Sequence, residues 1–235
     1  SPIFRHALRL ALLMILGVLI GSYFQVQNSY WILLTLIVIL RPSYGLTKQR
    51  SKHRIIGTFI GGAVAFIIIL FVQHPLVYMI LGVICLILAF SMIQKNYVGA
   101  AAFITLNVVF IYALLQPIVL NVIQYRVIDT IIGSGLAFFG NFILWPSWES
   151  SFYKKNVVDA LEANINYLKE IDHFYHTKGN LPNSYKVARK KAFIAMGNLS
   201  ATFQRMAQEP KSKRKAYRRL YKYNVFNYTF LSSLA

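Results

Sequence analysis

The segment between residues 30 and 62 constrains the fold more than any other part of the sequence. It consists of an apolar run, a stretch from Arg41 to Arg54 with five Lys and Arg residues and no acid, and a second apolar run. An excess of Lys and Arg in a short connection between two membrane spans keeps that connection on the cytoplasmic side. The pattern therefore predicts a membrane hairpin whose proline-broken basic loop, residues 41–54, faces the cytoplasm.

Composition separates the chain into two regions. Hydrophobic residues make up 57% of the 235 residues and charged residues 14%, a balance too apolar for a soluble domain of this size. Residues 1–146 contain nine Lys and Arg and one acid, Asp129, whereas residues 147–235 contain sixteen Lys and Arg and six acids. We predict a transmembrane domain over 1–146 and a basic cytoplasmic helical domain over 147–235. The single cysteine, Cys85, excludes a disulfide framework within the chain.

Six apolar segments of the first region are predicted to span the membrane. They cover residues 4–23, 30–41, 55–72, 76–92, 98–115 and about 125–145. The last four have roughly the 17 to 25 residues that a bilayer crossing requires. With a cytoplasmic N terminus, alternation places Arg5, Arg9, the 41–54 loop, Lys95 and the polar tail inside. Both termini are therefore predicted to be cytoplasmic, and the fold class all-α.

A short internal repeat relates two of these segments. The sequence RIIGTFIGG at residues 54–62 and the sequence RVIDTIIGS at residues 126–134 lie 72 residues apart and agree at five of nine positions. Three spans separate the copies, and an odd number of crossings inverts the second copy relative to the first. The repeat predicts six transmembrane helices in an inverted three-plus-three arrangement, a common plan of transporters. The alternative is chance similarity between two isoleucine-rich helix starts.

Two groups of residues carry a resemblance to a known family. They are Tyr30-Trp31, Leu34-Thr35, Pro42, Gly45-x-Thr47, Arg50, Arg54, Gly57-Thr58 and Gly61, and then Arg126, Asp129-Thr130 and Gly133. This pattern resembles the fusaric acid resistance and aromatic acid exporter family of bacterial inner-membrane proteins, to which plant aluminium-activated malate channels are distantly related.

The resemblance covers roughly residues 1–146 and implies export of organic, often aromatic, carboxylates through the bacterial inner membrane. Members typically carry two six-helix blocks, each followed by cytoplasmic helices, so we expect this chain to be a piece, the C-terminal half, of a longer protein. The expected partners are an organic anion, the lipid membrane, a second copy in a homodimer and a periplasmic adaptor protein.

A carboxylate that crosses a medium of low dielectric constant needs positive charge or oriented donors along its passage. Guanidinium groups stay protonated and bind carboxylates through two hydrogen bonds, which suits Arg54 and Arg126. Thr58 and Thr130 follow four residues later on the same helix faces. Asp129 either neutralises Arg126 or takes up a proton. With Arg50 from the basic loop, these residues form the predicted substrate-binding set.

Roles other than substrate binding are alternatives for these residues and their neighbours. Arg126 extends to the outer headgroups, with Asp129 as a local partner, if its long side chain only seeks water. Trp31, at the expected outer interface, is interpreted as an aromatic anchor of the span. The other basic residues of the 41–54 loop are interpreted as charges that fix the orientation of the chain.

The polar tail shows a helical periodicity. Apolar residues at 157, 158, 161, 165, 168, 171 and 174 predict one amphipathic helix, and a second stripe from Ala188 to Met206 predicts another. A turn over residues 178–183 joins them in an antiparallel hairpin, and the basic run from Lys211 is interpreted as the start of a third helix. Nucleic acid is not an expected partner, because the basic run lies in no recognised nucleic-acid fold.

Enzymatic function is not predicted for this sequence. The chain has no glycine-rich phosphate loop, no Ser-His-Asp set and no paired carboxylates, and no cofactor or metal is expected. The favoured function is proton-coupled export of an organic anion. A passive anion channel of two or more copies and a non-transporting membrane scaffold with a lipid-binding or protein-binding tail are the alternatives.

Overall fold

A computed structural model describes residues 2–24, 30–115, 119–151, 153–177, 182–214 and 217–234. Within these ranges the regular structure consists of nine α-helices and two short 3-10 helices, Glu149–Ser151 and Lys211–Lys213. The all-α prediction is confirmed. The chain divides into two compact units, Ser1–Pro146 and Ser147–Ala235.

Six helices form the first unit. They are α1 (Pro2–Tyr23), α2 (Tyr30–Ile39), α3 (Tyr44–Phe71), α4 (Pro75–Met92), α5 (Tyr97–Leu115) and α6 (Val119–Ile143). Among the described residues, five of them, all except α2, are long and apolar enough to cross a membrane. The 10 residues of α2 give a length of about 15 Å, half the thickness of a hydrocarbon core. Six full crossings therefore stay a prediction.

The predicted loop over residues 41–54 is wrong. The chain leaves helical conformation only between Leu40 and Ser43, and α3 begins at Tyr44. Pro42 disfavours helical conformation in the residue before it, which explains the break. No proline follows within α3, so the basic residues at 48, 50, 52 and 54 lie in its first three turns. The basic residues were interpreted as the sign of a loop, although Lys and Arg are good helix formers.

The sixth helix also begins earlier than predicted. It starts at Val119 rather than near Tyr125, and it ends at Ile143. Polar but uncharged side chains such as Asn121 and Gln124 occupy its first turns, and neither type breaks a helix. The connection between the first two predicted spans, residues 25–29, lies outside the described residues, as do residues 178–181 of the turn predicted over 178–183.

Small residues bring α3 and α6 close to their neighbours. A Cβ atom on Gly61 of α3 would lie 2.9 Å from the Cβ of Thr105 on α5, and a Cβ atom on Gly133 of α6 would lie 2.9 Å from the Cβ of Thr35 on α2. Such close approach is the usual packing mode of membrane helices. Gly61 and Gly133 hold the same position in the two repeat copies, and each contacts a threonine on a different helix.

Three helices form the second unit. They are α7 (Tyr153–Thr177), α8 (Asn183–Ala207) and α9 (Tyr217–Leu234), which pack around a core that includes Tyr167, Leu199 and Leu220. The side-chain amide of Asn164 donates to Oδ1 of Asn227 at 2.9 Å. The hydroxyl of Tyr167 donates to the carbonyl of Leu234 at 3.2 Å, and burial raises the pKa of this tyrosine to about 12. That this unit is cytoplasmic stays a prediction.

The buried carboxylate of Glu209 binds the backbone at the start of this unit. Oε1 of Glu209 accepts a hydrogen bond of 2.5 Å from the backbone N–H of Glu149. The guanidinium of Arg205 donates to both carboxylate oxygens of Glu149, at 2.7 and 3.3 Å. Burial raises the pKa of Glu209 above its ordinary value. These contacts tie the 3-10 helix at Glu149 to the end of α8.

The face of α7 that packs differs from the predicted one. The prediction joined Val157, Ile171 and Phe174 in one stripe with four residues that are 41–51% exposed: Val158, Leu161, Ile165 and Leu168. The bundle instead buries Ala160, Asn164 and Tyr167. The helix carries two heptad stripes one residue apart, and the buried one contains the small Ala160, which allows neighbouring helices to approach. The second stripe is left on the outside.

Candidate functional site

The two repeat copies meet along the interface of α3 and α6. Oγ of Ser51 donates to the carbonyl of Ser134 at 3.4 Å, and the hydroxyl oxygens of Thr58 and Thr130 lie 3.4 Å apart. Further along α3, a Cβ atom on Gly62 would lie 3.2 Å from Ile123. The residue numbers rise on one helix as they fall on the other, so α3 and α6 are antiparallel. Thr58 and Thr130 hold the same position in the repeat and contact each other.

Arg54 and Arg126 lie on opposite sides of this threonine contact. Each arginine precedes its threonine by four residues, about 6 Å along the helix axis, and the helices run in opposite directions. Arg54 is 4% exposed and Arg126 is 3% exposed. Burial of Arg126 argues against the alternative in which its side chain extends to the headgroups. Thr58 and Thr130 are buried as well.

The guanidinium of Arg126 lies against one ring of an aromatic cluster. Its central carbon lies 3.9 Å from the centroid of the Trp31 ring, and the Tyr30 ring lies 5.1 Å from that of Trp31. The hydroxyl oxygens of Tyr30 and Tyr112 are 2.9 Å apart, which connects α2 to α5. Sequence reasoning gave Trp31 only an anchoring role. Its contact with Arg126 spans 95 residues, and no local pattern indicates it.

Asp129 is buried without a hydrogen-bond partner. The residue is 1% exposed, and neither of its carboxylate oxygens has a hydrogen-bond partner among the described residues. Nε and Nη1 of Arg126 are likewise buried and have no hydrogen-bond partner, so Arg126 and Asp129 form no direct hydrogen bond, although their charges interact. A buried carboxylate without hydrogen bonds is expensive to ionise. Uptake of a proton, the second role considered for Asp129, suits this environment better.

Arg50 is separated from the threonine contact. Its guanidinium carbon lies 4.3 Å from the centroid of the Tyr97 ring, at the start of α5. Arg50 lies one helical turn before Arg54, and its side chain extends toward α5. The structure thus brings Thr58 and Thr130 together, places Arg54 and Arg126 one turn away on either side, and leaves Arg50 at the edge.

A third buried arginine, Arg9, was not predicted from the sequence to have a structural or functional role. Arg9 of α1 is 2% exposed, and its guanidinium donates to Oδ1 of Asn141 and to the carbonyl of Trp145. The amide of Asn141 in turn donates to Oγ1 of Thr47 at 2.6 Å, beside the break at Leu40–Ser43. Arg9 was interpreted as a cytoplasmic orientation charge. An arginine two turns inside an apolar helix was the available signal for a buried role.

The interior of the first unit carries more positive than negative charge. Its buried charged residues among those described are Arg9, Arg54, Arg126 and Asp129. Buried cations are costly unless an anion or hydrogen-bond acceptors satisfy them. Among the described residues, Nε lacks a hydrogen-bond partner in all three arginines, but both Nη atoms of Arg9 have acceptors, whereas Nη1 of Arg126 has none. Within the described part of the chain, no group of three or more metal-binding side chains forms. The arrangement at α3 and α6 therefore favours an anion.

Residues 13–140 match the fusaric acid resistance protein-like family. The chain belongs to this family. The resemblance drawn from its sequence motifs is thereby confirmed, and the matched residues include the threonine contact and the buried arginines of α3 and α6.

Several proteins are similar in sequence to this family member. The chain is 32% identical over 235 residues to inner membrane protein YccS of Escherichia coli (strain K12), across 100% of the chain and 33% of that protein. It is 27% identical to the p-hydroxybenzoic acid efflux pump subunit AaeB of Salmonella heidelberg (strain SL476), over 60% of the chain and 24% of AaeB. It is 26% identical to aluminum-activated malate transporter 12 of Arabidopsis thaliana, over 58% of the chain and 27% of that transporter. The chain thus spans about a third of YccS and less of the other two.

Proposed function

We propose that the first unit is the transmembrane block of a bacterial inner-membrane transporter that exports organic carboxylate anions along the interface of α3 and α6. The observation that carries the proposal is the pair of buried guanidinium groups, Arg54 and Arg126, one turn to either side of the Thr58–Thr130 contact. An anion would meet one guanidinium, pass the threonines and reach the other. Two binding sites of moderate affinity, one at each guanidinium, would allow an anion both to enter and to leave.

The inverted repeat belongs to this proposal. Thr58 contacts its repeat equivalent Thr130, as a two-fold axis between α3 and α6 requires. The contacts of Gly61 with Thr105 and of Gly133 with Thr35 are also related by the repeat, because both pairs of positions differ by 70 or 72 residues. These paired contacts support a three-plus-three arrangement in which α2 corresponds to α5. Both termini then lie in the cytoplasm.

The names of two relatives support the substrate class. One relative is named for efflux of p-hydroxybenzoic acid and the other for transport of malate, and both compounds are carboxylic acids. The rings of Tyr30, Trp31 and Tyr112 near Arg126 provide an apolar surface for the body of an aromatic substrate, while the guanidinium binds its carboxylate. The first relative is also named a pump subunit, which supports a partner protein such as a periplasmic adaptor.

Asp129 is the proposed site of proton coupling. Its buried and unpartnered carboxylate lies three residues from Arg126, so gain or loss of its proton changes the charge beside the anion path. In lipid vesicles that contain the protein, we expect uptake of labelled 4-hydroxybenzoate to rise several-fold when a proton gradient is imposed. Asp129→Asn mimics the protonated state at every pH, and we expect it to remove this dependence.

The same vesicles separate exporter from channel. An exporter moves the anion against its gradient when protons flow the other way, whereas a passive channel carries anion current without any proton gradient. A native chain whose flux ignores the gradient would overturn proton coupling and favour the channel of two or more copies. A native chain without any flux would leave only the scaffold function. Thr229→Val, on the second unit, serves as the control that should behave like the native chain.

A further inference from the structure

The outer face of α7 carries an unpartnered stripe that is distinct from its buried face. We call it the α7 stripe, and it consists of Lys154, Val158, Leu161, Ile165, Leu168 and Asp172. The spacing of four and three residues places all six on one side of the helix. The four apolar residues are 49%, 41%, 51% and 43% exposed in chain order. A continuous apolar seam of this kind, repeated every seven residues, is the pattern by which helices pair.

The α7 stripe has a second property that identifies its partner. Read from either end, its spacing is the same, and its centre lies at position 163. If a second α7 lies antiparallel across it, Val158 faces Leu168 and Leu161 faces Ile165. Lys154 of each copy then faces Asp172 of the other. Apolar residues meet apolar residues throughout, and opposite charges meet at both ends.

Other arrangements fit the α7 stripe less well. A parallel pair would place Lys154 against Lys154 and Asp172 against Asp172, which is unfavourable at both ends. An anionic lipid surface would repel Asp172 at one end of the seam. Asp172 also lies 3.4 Å from His176 of its own helix, but both side chains are 73% exposed, and such surface pairs contribute little. Its carboxylate therefore stays available to a second lysine.

We propose that the α7 stripe is a self-association surface, on which a second copy of this chain docks with its own α7 antiparallel about a two-fold axis. The interface is isologous, because the same residues serve on both sides. The seam supplies the apolar contact, and the two Lys154–Asp172 pairs fix direction and register, as charges at the edges of helix pairs do. The inference concerns assembly and does not depend on transport by the first unit.

The first test uses the full chain in detergent, with its mass measured by light scattering over a range of concentrations. We expect the native chain to dimerise and Ile165→Asp to raise the dimer dissociation constant about tenfold or more, because a charge then lies at the centre of the apolar seam. Val187→Asp on α8 is the matched control. Val187 is 50% exposed and Ile165 is 51% exposed, but Val187 is not part of the α7 stripe. The control should dimerise like the native chain.

A charge exchange tests direction and guards against a folding defect. Asp172→Lys places two lysines opposite each other at each end and should weaken the dimer, as should Lys154→Asp. The double variant Lys154→Asp with Asp172→Lys restores opposite charges in the antiparallel pair and should dimerise like the native chain. A native chain that stays monomeric would overturn the proposal. So would a dimer that Ile165→Asp leaves intact, or a double variant that is no stronger than the single ones.

Discussion

Arg126→Ala is expected to lower anion flux about thirtyfold or more in vesicles that contain the protein. The substitution removes the buried guanidinium that the proposal assigns to the carboxylate of the substrate. Loss of one partner from a buried, hydrogen-bonded charge pair, here Arg126 and the substrate carboxylate, costs about 2–5 kcal/mol, and each 1.4 kcal/mol is a factor of ten. Initial rates of uptake of labelled 4-hydroxybenzoate measure the effect.

Two further variants separate the charge of Arg126 from its shape. Arg126→Lys keeps the positive charge but loses the planar fork that binds a carboxylate through two hydrogen bonds, so an intermediate flux is expected. Arg41→Ala is the control, because the Arg41 side chain is exposed at the break before α3. Flux in the control should equal that of the native chain. Native flux in Arg126→Ala, with the protein folded and inserted, would show that Arg126 does not serve the anion path.

Gly61→Ala is expected to destabilise the first unit strongly. The added Cβ atom would lie 2.9 Å from the Cβ of Thr105 and 3.0 Å from the Cα of Ala102, and the latter is backbone that does not move aside. Overpacking in a tight core typically costs about 1–3 kcal/mol and sometimes more. Thermal unfolding of the purified protein, followed by loss of helical signal, should show a clear fall in midpoint, together with poor yield.

Gly135→Ala gives this experiment a matched control. Gly135 also lies in a membrane helix, α6, but a Cβ atom built on it has no neighbour within 4 Å. Alanine is favoured over glycine inside a helix by roughly 0.5–1 kcal/mol, so this variant should unfold at the native temperature or slightly above it. Equal midpoints for the two variants would contradict the close packing of α3 against α5.

Hydropathy and periodicity predicted most helices of the fold but not all of their limits. Long apolar runs must form helices in a bilayer, because each backbone polar group needs a partner there. The beginning of α3 was missed because its first turns are basic, and polar composition does not distinguish a loop from a charged helix. In α7, two apolar stripes lie one residue apart, and only packing against α8 and α9 selects between them.

The candidate site was predictable to the extent that it lies within the repeat. Arg54 and Thr58 have counterparts in Arg126 and Thr130, and sequence comparison within the chain found all four. Contacts between distant segments were not predictable. The Trp31 ring meets Arg126 across 95 residues and Arg9 meets Asn141 across 132 residues, and no periodic pattern encodes such pairs. The absence of a direct partner for Asp129 likewise follows from tertiary packing.

The most direct test of an anion path along α3 and α6 is to lock the threonine contact. The hydroxyl oxygens of Thr58 and Thr130 are 3.4 Å apart, so sulfur atoms at these positions need only a small movement to reach the disulfide length of about 2.05 Å. In a chain with Cys85→Ser, we expect Thr58→Cys with Thr130→Cys to cross-link on oxidation and to lose anion flux. Reduction should restore flux. A fully cross-linked protein with native flux would contradict passage of the anion between these two helices.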